Sequence, residues 1–106
     1  YGREIAVLAD MLELGSVSEE SHRKVGRWTA VYGIEEVICY GKEARFIYEE
    51  AKKAGVSAHY AFDKIEAASL LKDLVKTGDV ILLKGSHSME VDTVADLAFG
   101  KEGLQK

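Results

Sequence analysis

The residues best suited to chemistry follow an apolar run late in the chain. Lys84, Gly85 and Ser86 come directly after the apolar residues 80–83, a pattern typical of a strand buried on both faces. In open parallel sheets, ligands bind beyond the carboxyl ends of the strands. A lysine there can neutralise a phosphate or carboxylate, a glycine lets backbone approach closely, and a hydroxyl adds a hydrogen bond. We therefore expect substrate binding at Lys84, Gly85, Ser86 and His87. A lysine that merely reaches from the core to water would give the same pattern.

A second group of polar residues follows an earlier apolar run, residues 5–9. Asp10, Met11 and Glu13 open a connection, residues 10–17, that is longer than the usual strand-to-helix loop, and long loops in compact domains are often functional. We expect these three residues to line a cleft. Asp10 could bind a cation, orient a basic ligand group, or accept backbone N–H bonds within its own loop.

Alternating strand and helix patterns predict how these residues are positioned. We predict strands at 5–9, 36–40, 57–62 and 80–83, and helices beginning near 18, 43, 63 and 88. Ser18, Asp63 and either Ser86 or Ser88 are the expected helix caps. The alternation predicts one domain over residues 1–106: a Rossmann-like, three-layer α/β/α fold with a mainly parallel sheet of about four strands.

Helical periodicity predicts which side chains face the core. On the first helix the predicted inward face is His22, Val25, Trp28, Thr29 and Tyr32. On the third helix it is Ile65, Ala68, Leu71, Leu74 and Val75.

Composition limits the classes of function. The 106 residues carry 14 Lys and Arg against 18 Asp and Glu, and this net charge of −4 argues against nucleic acid as a partner. No apolar run is long enough to span a membrane. The single cysteine, Cys39, lies in an apolar run, which predicts an inert buried thiol and fits a reducing cytoplasm. The start at Tyr1 resembles neither a signal peptide nor an initiator methionine, which suggests an excised or processed fragment.

Cofactor motifs are missing from the sequence. Neither G-x-x-x-x-G-K-[ST] nor G-x-G-x-x-G occurs, so the chain lacks the usual ways to hold ATP or NAD. His22, His59 and His87 fall on separate predicted elements, so we expect no metal site. His22 is expected to be packed or hydrogen-bonded, His59 to lie on the strand surface, and His87 to bind an anion or have no role.

Two motifs together resemble a known family. Residues 6–15, Ala-Val-Leu-Ala-Asp-Met-Leu-Glu-Leu-Gly, precede a helix start at residues 18–22, Ser-Glu-Glu-Ser-His. Residues 80–86, Val-Ile-Leu-Leu-Lys-Gly-Ser, with Met89 after them, complete the pattern. In order and spacing the chain is similar to the C-terminal domain of Mur ligases, specifically those that add D-alanyl-D-alanine to UDP-N-acetylmuramoyl-tripeptide. It departs from that pattern at Ala9, where glycine is common, and at His87, where arginine is common.

The resemblance implies a three-domain, cytoplasmic, ATP-dependent ligase of peptidoglycan synthesis. Its N-terminal and central domains, which would lie outside this chain, would hold the UDP-sugar, ATP and Mg²⁺. This chain would close over the cleft and bind the acceptor dipeptide through Lys84, Gly85 and Ser86, with no catalytic residue and no cofactor of its own. Two alternatives remain from the sequence: a receiver-like signalling domain, for which only Asp10 and Lys84 fit, and a ligand-free interaction module.

Overall fold

The computed structural model describes residues 3–11 and 15–104, without the side chains of residue 87 and of residues 101–104. The strands are β1 (Glu4–Ala9), β2 (Glu36–Tyr40), β3 (Ser57–Ala61) and β4 (Val80–Lys84). The helices are α1 (Ser18–Val31), α2 (Arg45–Lys53), α3 (Lys64–Leu74) and α4 (Val91–Leu104). Short 3₁₀ turns at Gly15–Val17 and His87–Met89 precede α1 and α4.

The four strands form one sheet in the order β3-β2-β1-β4, with every neighbouring pair parallel. The chain moves in one direction across the sheet through α1 and α2 and returns through α3. Right-handed crossovers therefore place α1 and α2 on one face and α3 on the other, where α4 packs against it. The predicted three-layer fold and the parallel sheet are confirmed.

Two apolar clusters lie on the two faces of the sheet. Ile5, Val7 and Ile38 belong to the cluster beneath α3 and α4, and Ala6 and Val37 to the cluster beneath α1 and α2. Alternate residues of one strand thus enter opposite clusters, because successive side chains point to opposite faces. This explains why the predicted continuous apolar runs are correct for β1 and β2, which lie in the middle of the sheet.

The prediction that β4 is buried on both faces is wrong. Val80 is 53% exposed and Leu82 and Leu83 are each 37% exposed. The reason is position: in the described part of the chain β4 forms one edge of the sheet, and α1 covers β1 without extending over β4. An apolar run indicates a strand but does not reveal whether that strand lies at the centre or the edge.

The helix caps differ from prediction at two of the three expected places. Asp63 caps α3 as predicted, with its Oδ1 accepting the Glu66 N–H at 2.9 Å. Ser18 does not cap α1: it is the first helical residue, and its hydroxyl donates to Glu43 Oε1 at 2.8 Å. The expected cap at Ser86 or Ser88 is also wrong, since a 3₁₀ turn intervenes and α4 begins only at residue 91.

Some predicted inward residues are exposed. Trp28 is 38%, Tyr32 63% and Ile65 65% exposed, whereas His22 and Thr29 are fully buried as expected. Gly26 is buried on α1 and was not among the expected inward residues. A Cβ at that position would lie 2.5 Å from the Ile47 carbonyl oxygen, so the close contact of α1 with α2 turns this helix and shifts its buried face.

Candidate substrate-binding edge

Asp10 connects three segments at the carboxyl edge of the sheet. Its side chain is buried, with the residue only 5% exposed, and its Oδ1 accepts the Ala44 N–H at 2.7 Å just before α2. Its backbone carbonyl accepts the Ser86 N–H at 2.9 Å. The carboxylate of Asp10 therefore accepts a backbone N–H bond, but the donor lies 34 residues further along the chain and not within the loop of Asp10, as one of the sequence alternatives had it.

Two glycines allow these segments to approach closely. A Cβ at Gly41, whose φ is +113°, would lie 2.3 Å from Asp10 Oδ1. A Cβ at Gly85 would lie 2.9 Å from Ala9 Cβ, so the Lys-Gly-Ser loop rests directly on the end of β1. The second distance is far shorter than the ordinary contact of about 3.5–4.0 Å between carbon atoms, and the first, from a carbon to an oxygen, is shorter still. The loop after β4 is thus held against its neighbours by backbone contact.

Two tyrosines that were not singled out from the sequence donate hydrogen bonds to backbone carbonyls at the same edge of the sheet. The Tyr40 hydroxyl donates to the Met89 carbonyl oxygen at 2.6 Å, and the Tyr60 hydroxyl donates to the Gly41 carbonyl oxygen at 2.8 Å. Burial raises the pKa of Tyr40 to about 12, with nearby carboxylates adding to the effect, so this phenol keeps its proton at neutral pH. Their position at or near the ends of strands is the sequence signal that could have indicated them.

Lys84 lies exposed at the end of β4, on the face of the sheet that carries α1. It borders an open groove of about 530 Å³ with a largely apolar lining that sequence reasoning did not anticipate. The groove is lined by Ala6, Leu8, Lys24, Val25, Trp28, Leu82, Leu83 and Lys84. The groove exists because β4 is an edge strand, which no local pattern shows.

The remaining predicted site residues fall at or near this edge. Gly85 and Ser86 are partly buried in the loop after β4, and the Met11 N–H donates to His22 Nε2 at 2.9 Å. The backbone of His87 lies in the 3₁₀ turn, and its side chain is not described. Glu13 lies outside the described residues.

The opposite, amino edge of the sheet is closed by ion pairs. Arg3 contacts Asp79 at 3.1 Å and Glu36 at 3.6 Å. His59, half-buried on its strand, lies 2.9 Å from Glu36. Burial opposes ionisation of Glu36, but hydrogen bonds from His59 and Ser57 outweigh it and lower the pKa of that carboxyl. The charges of Arg3, Asp79, Glu36 and His59 are thus paired with one another at the amino edge.

The described residues contain neither a metal-binding cluster nor a helix that could span a membrane. No group of three or more His, Cys, Asp or Glu side chains in this part of the chain could hold a metal ion. Cys39 is fully buried, as predicted, and burial raises the pKa of its thiol. Within residues 3–11 and 15–104, no helix combines the length and apolar character needed to cross a membrane.

The fold and the motifs at its carboxyl edge are those of a known family. The family model described as "Mur ligase, glutamate ligase domain" matches residues 1–87. The chain therefore belongs to the Mur ligase family, and the resemblance found in the Asp-Met-Leu-Glu-Leu-Gly and Lys-Gly-Ser motifs is confirmed.

Two relatives are named UDP-N-acetylmuramoyl-tripeptide–D-alanyl-D-alanine ligase. The protein from Bacillus subtilis is 35% identical over 101 residues, which cover 89% of this chain and 21% of the relative. The one from Escherichia coli is 37% identical over 95 residues, covering 88% of this chain and 20% of the relative. The chain thus spans about a fifth of the length of these curated relatives.

Two solved structures of MurF ligases resemble this chain in fold. MurF ligase from Thermotoga maritima, crystallised in complex with ADP, matches with a TM-score of 0.75 and 28% identity over 99% of this chain and 23% of its own. MurF from Acinetobacter baumannii matches with a TM-score of 0.76 and 28% identity over 92% of this chain and 22% of its own. The comparisons do not favour the receiver-like or ligand-free alternatives.

Proposed function

We propose that residues 1–106 are the C-terminal domain of an ATP-dependent ligase that joins D-alanyl-D-alanine to UDP-N-acetylmuramoyl-tripeptide in peptidoglycan synthesis. The observation that carries this proposal is the 35% identity to the Bacillus subtilis ligase across 89% of the chain. The domain's part would be to bind the acceptor dipeptide and close over an active site built mainly by other domains.

The proposed reaction passes through an acyl phosphate. ATP phosphorylates the terminal carboxylate of the tripeptide, and the amine of D-alanyl-D-alanine attacks the activated carbonyl carbon. The attacking nitrogen loses a proton and the tetrahedral intermediate expels phosphate, so the products of the whole reaction are the UDP-linked pentapeptide, ADP, phosphate and a proton. Water would hydrolyse the acyl phosphate, so closure of a domain over the cleft would protect it.

Lys84 is the residue we assign to the acceptor carboxylate. Its side chain is exposed, and the described residues offer it no ion-pair partner. An ammonium group in this setting can pair with a carboxylate, and hydrogen bonds that involve charged groups are the stronger ones. Lys84 is held by its pairing with β1, and the loop that follows it is fixed by the Ser86 to Asp10 bond and by the contact of Gly85 with Ala9. Ser86 and His87 would add polar contacts, with Asp10, Met11 and Glu13 lining or supporting the cleft.

ATP and Mg²⁺ would be held mainly by the N-terminal and central domains. The lack of a phosphate-loop motif in the sequence supports this assignment, and the ADP bound to the Thermotoga maritima relative supports the use of ATP by the whole ligase. Mg²⁺ would neutralise the phosphates during transfer. The proposed location is the cytoplasm, where ATP is available, and neither nucleic acid nor membrane is a proposed partner.

The test is phosphate release by the full-length ligase that contains this chain, supplied with UDP-N-acetylmuramoyl-tripeptide, ATP and Mg²⁺. Release should require D-alanyl-D-alanine. Lys84→Ala should raise the dipeptide KM or lower turnover while the fold stays intact, whereas Lys72→Ala, at an exposed lysine of α3, should change neither. Release that ignores the dipeptide would overturn the function, and unchanged kinetics in Lys84→Ala would overturn the role of that lysine.

A further inference from the structure

We infer that His22 is a positioning residue for the loop that directly follows Lys84. Its buried imidazole fixes the backbone at Met11 and, through the neighbouring Asp10, the Lys-Gly-Ser segment. The kinetic consequence rests on the proposed function, whereas the structural consequence does not.

Hydrogen-bond geometry assigns one tautomer to His22. The residue is fully buried, and its Nδ1 lies 2.7 Å from the Ser18 carbonyl oxygen. A carbonyl oxygen can only accept, so Nδ1 carries the hydrogen. Nε2 is then an acceptor, and the Met11 N–H donates to it at 2.9 Å. The ring therefore joins the start of α1 to the backbone that leaves β1.

This contact meets a requirement that an apolar side chain could not meet. Met11 has just left the sheet, so its N–H lacks a strand partner, and even a partly buried amide is destabilising when it has no acceptor. A helix position facing the core is normally apolar, and a leucine at residue 22 would fill the space without accepting this bond. Of the two requirements at this position, packing and hydrogen bonding, only the second explains a histidine.

The effect reaches Lys84 through a short series of contacts. Asp10, next to Met11, accepts the Ser86 N–H with its carbonyl oxygen at 2.9 Å and the Ala44 N–H with its carboxylate at 2.7 Å. A displacement of Met11 would therefore move Asp10 and release Gly85 and Ser86, the residues next to Lys84, from the end of β1. The expected result is a less well placed Lys84 in a domain that is still folded.

Three variants of the full-length ligase separate positioning from general stability. His22→Asn removes the acceptor, because the shorter amide does not reach Met11. His22→Gln keeps an amide oxygen near the position of Nε2. Thr29→Ala is the matched control: Thr29 is also fully buried on α1, and its hydroxyl donates to Gly26 within that helix, away from the loop.

The measurements are residue-resolved amide hydrogen exchange, thermal unfolding and steady-state kinetics. In His22→Asn we expect exchange at Met11 and Ser86 to speed up about tenfold, the factor that a typical hydrogen bond represents. The dipeptide KM should rise by a similar factor while the ATP KM stays constant. His22→Gln should return the exchange rates and the dipeptide KM most of the way to their wild-type values. Thr29→Ala should lower the unfolding temperature without changing the exchange rates at Met11 and Ser86 or the dipeptide KM.

Two results would overturn the inference. One is unchanged exchange at Met11 and Ser86 in His22→Asn, and the other is an equal rise of the dipeptide KM in Thr29→Ala. Should His22→Asn not fold, His22→Gln decides: slow exchange at Met11 supports the inference, and exchange as fast as in an unstructured segment overturns it. Wild-type ligase without dipeptide-dependent phosphate release would refute the proposed function instead, and the exchange data would still test the contact.

Discussion

Replacing Gly85 by alanine should detach the Lys-Gly-Ser loop from the sheet. The new methyl would lie 2.9 Å from the Cβ of Ala9, a residue that is itself 1% exposed. Ordinary carbon contacts are about 3.5–4.0 Å, so the loop would have to move by roughly 0.6–1.1 Å. Overpacking of this kind costs about 1–3 kcal/mol of folding free energy. We therefore expect Gly85→Ala to lower the free energy of unfolding by that amount and to raise the dipeptide KM of the ligase.

Ala9→Gly supplies the matched rescue. It removes the atom that would collide, and the next neighbours of the new methyl, the Ala9 Cα and carbonyl carbon at 3.4 and 3.5 Å, are close to ordinary contact. Alone, Ala9→Gly should cost about 0.5–1 kcal/mol, because glycine weakens a strand interior. The double variant should lose about 1–3 kcal/mol less folding free energy than the two single variants lose when their losses are added.

The assay is urea denaturation of wild type, both single variants and the double variant, followed through the tryptophan fluorescence of Trp28. A coupling free energy near zero would refute the reasoning, because the collision between residues 9 and 85 would then not determine the cost. A wild-type stability in Gly85→Ala would refute it more directly.

Three other outcomes are expected. Gly26→Ala should destabilise the chain by about 3 kcal/mol, because its methyl would lie 2.5 Å from the Ile47 carbonyl oxygen; a loss below about 1 kcal/mol in urea denaturation would contradict the helix contact. Asp79 accepts the Lys76 N–H and pairs with an arginine, and these contacts lower the pKa of its carboxyl. Its contribution to stability is therefore present above the unfolded pKa of about 3.9 and is lost as the pH falls through the lower folded value. Asp79→Asn should be less stable than wild type at pH 7 and equal to it near pH 2, and a constant difference across a pH series of denaturation curves would disprove this origin. Cys39, fully buried with a raised thiol pKa, should resist iodoacetamide in the native chain and react in denaturant, whereas native labelling would show that the core opens.

Local patterns in the sequence predict the strands and their order of alternation with helices. β2 begins and ends where predicted, and the Asp63 cap is present as expected. Both features depend on residues close in sequence: a run of apolar residues in one case, and a carboxylate three residues before an N–H in the other. The parallel sheet then follows from the alternation, because helical connections are long enough to return the chain to the same end of the sheet.

Features set by distant residues were not predictable in the same way. The exposure of Leu82 depends on the position of β4 at the sheet edge. The exposure of Trp28 depends on which face of α1 packs against α2. The hydrogen bond from Ser86 to Asp10 joins residues 76 positions apart. The sequence predicted that Asp10 and Ser86 lie at the same edge of the sheet. It could not show that the Asp10 carboxylate accepts a hydrogen bond from the Ala44 N–H.

The most direct test of the central claim is a competition between acceptors. The full-length ligase is given UDP-N-acetylmuramoyl-tripeptide, ATP and Mg²⁺ with equal concentrations of isotopically labelled D-alanyl-D-alanine and D-glutamate, and the mass of the UDP-linked product is measured. We predict a product enlarged by the labelled dipeptide alone. A product that carries glutamate, or an unchanged tripeptide from folded enzyme, would contradict the claim that this domain belongs to a D-alanyl-D-alanine-adding ligase.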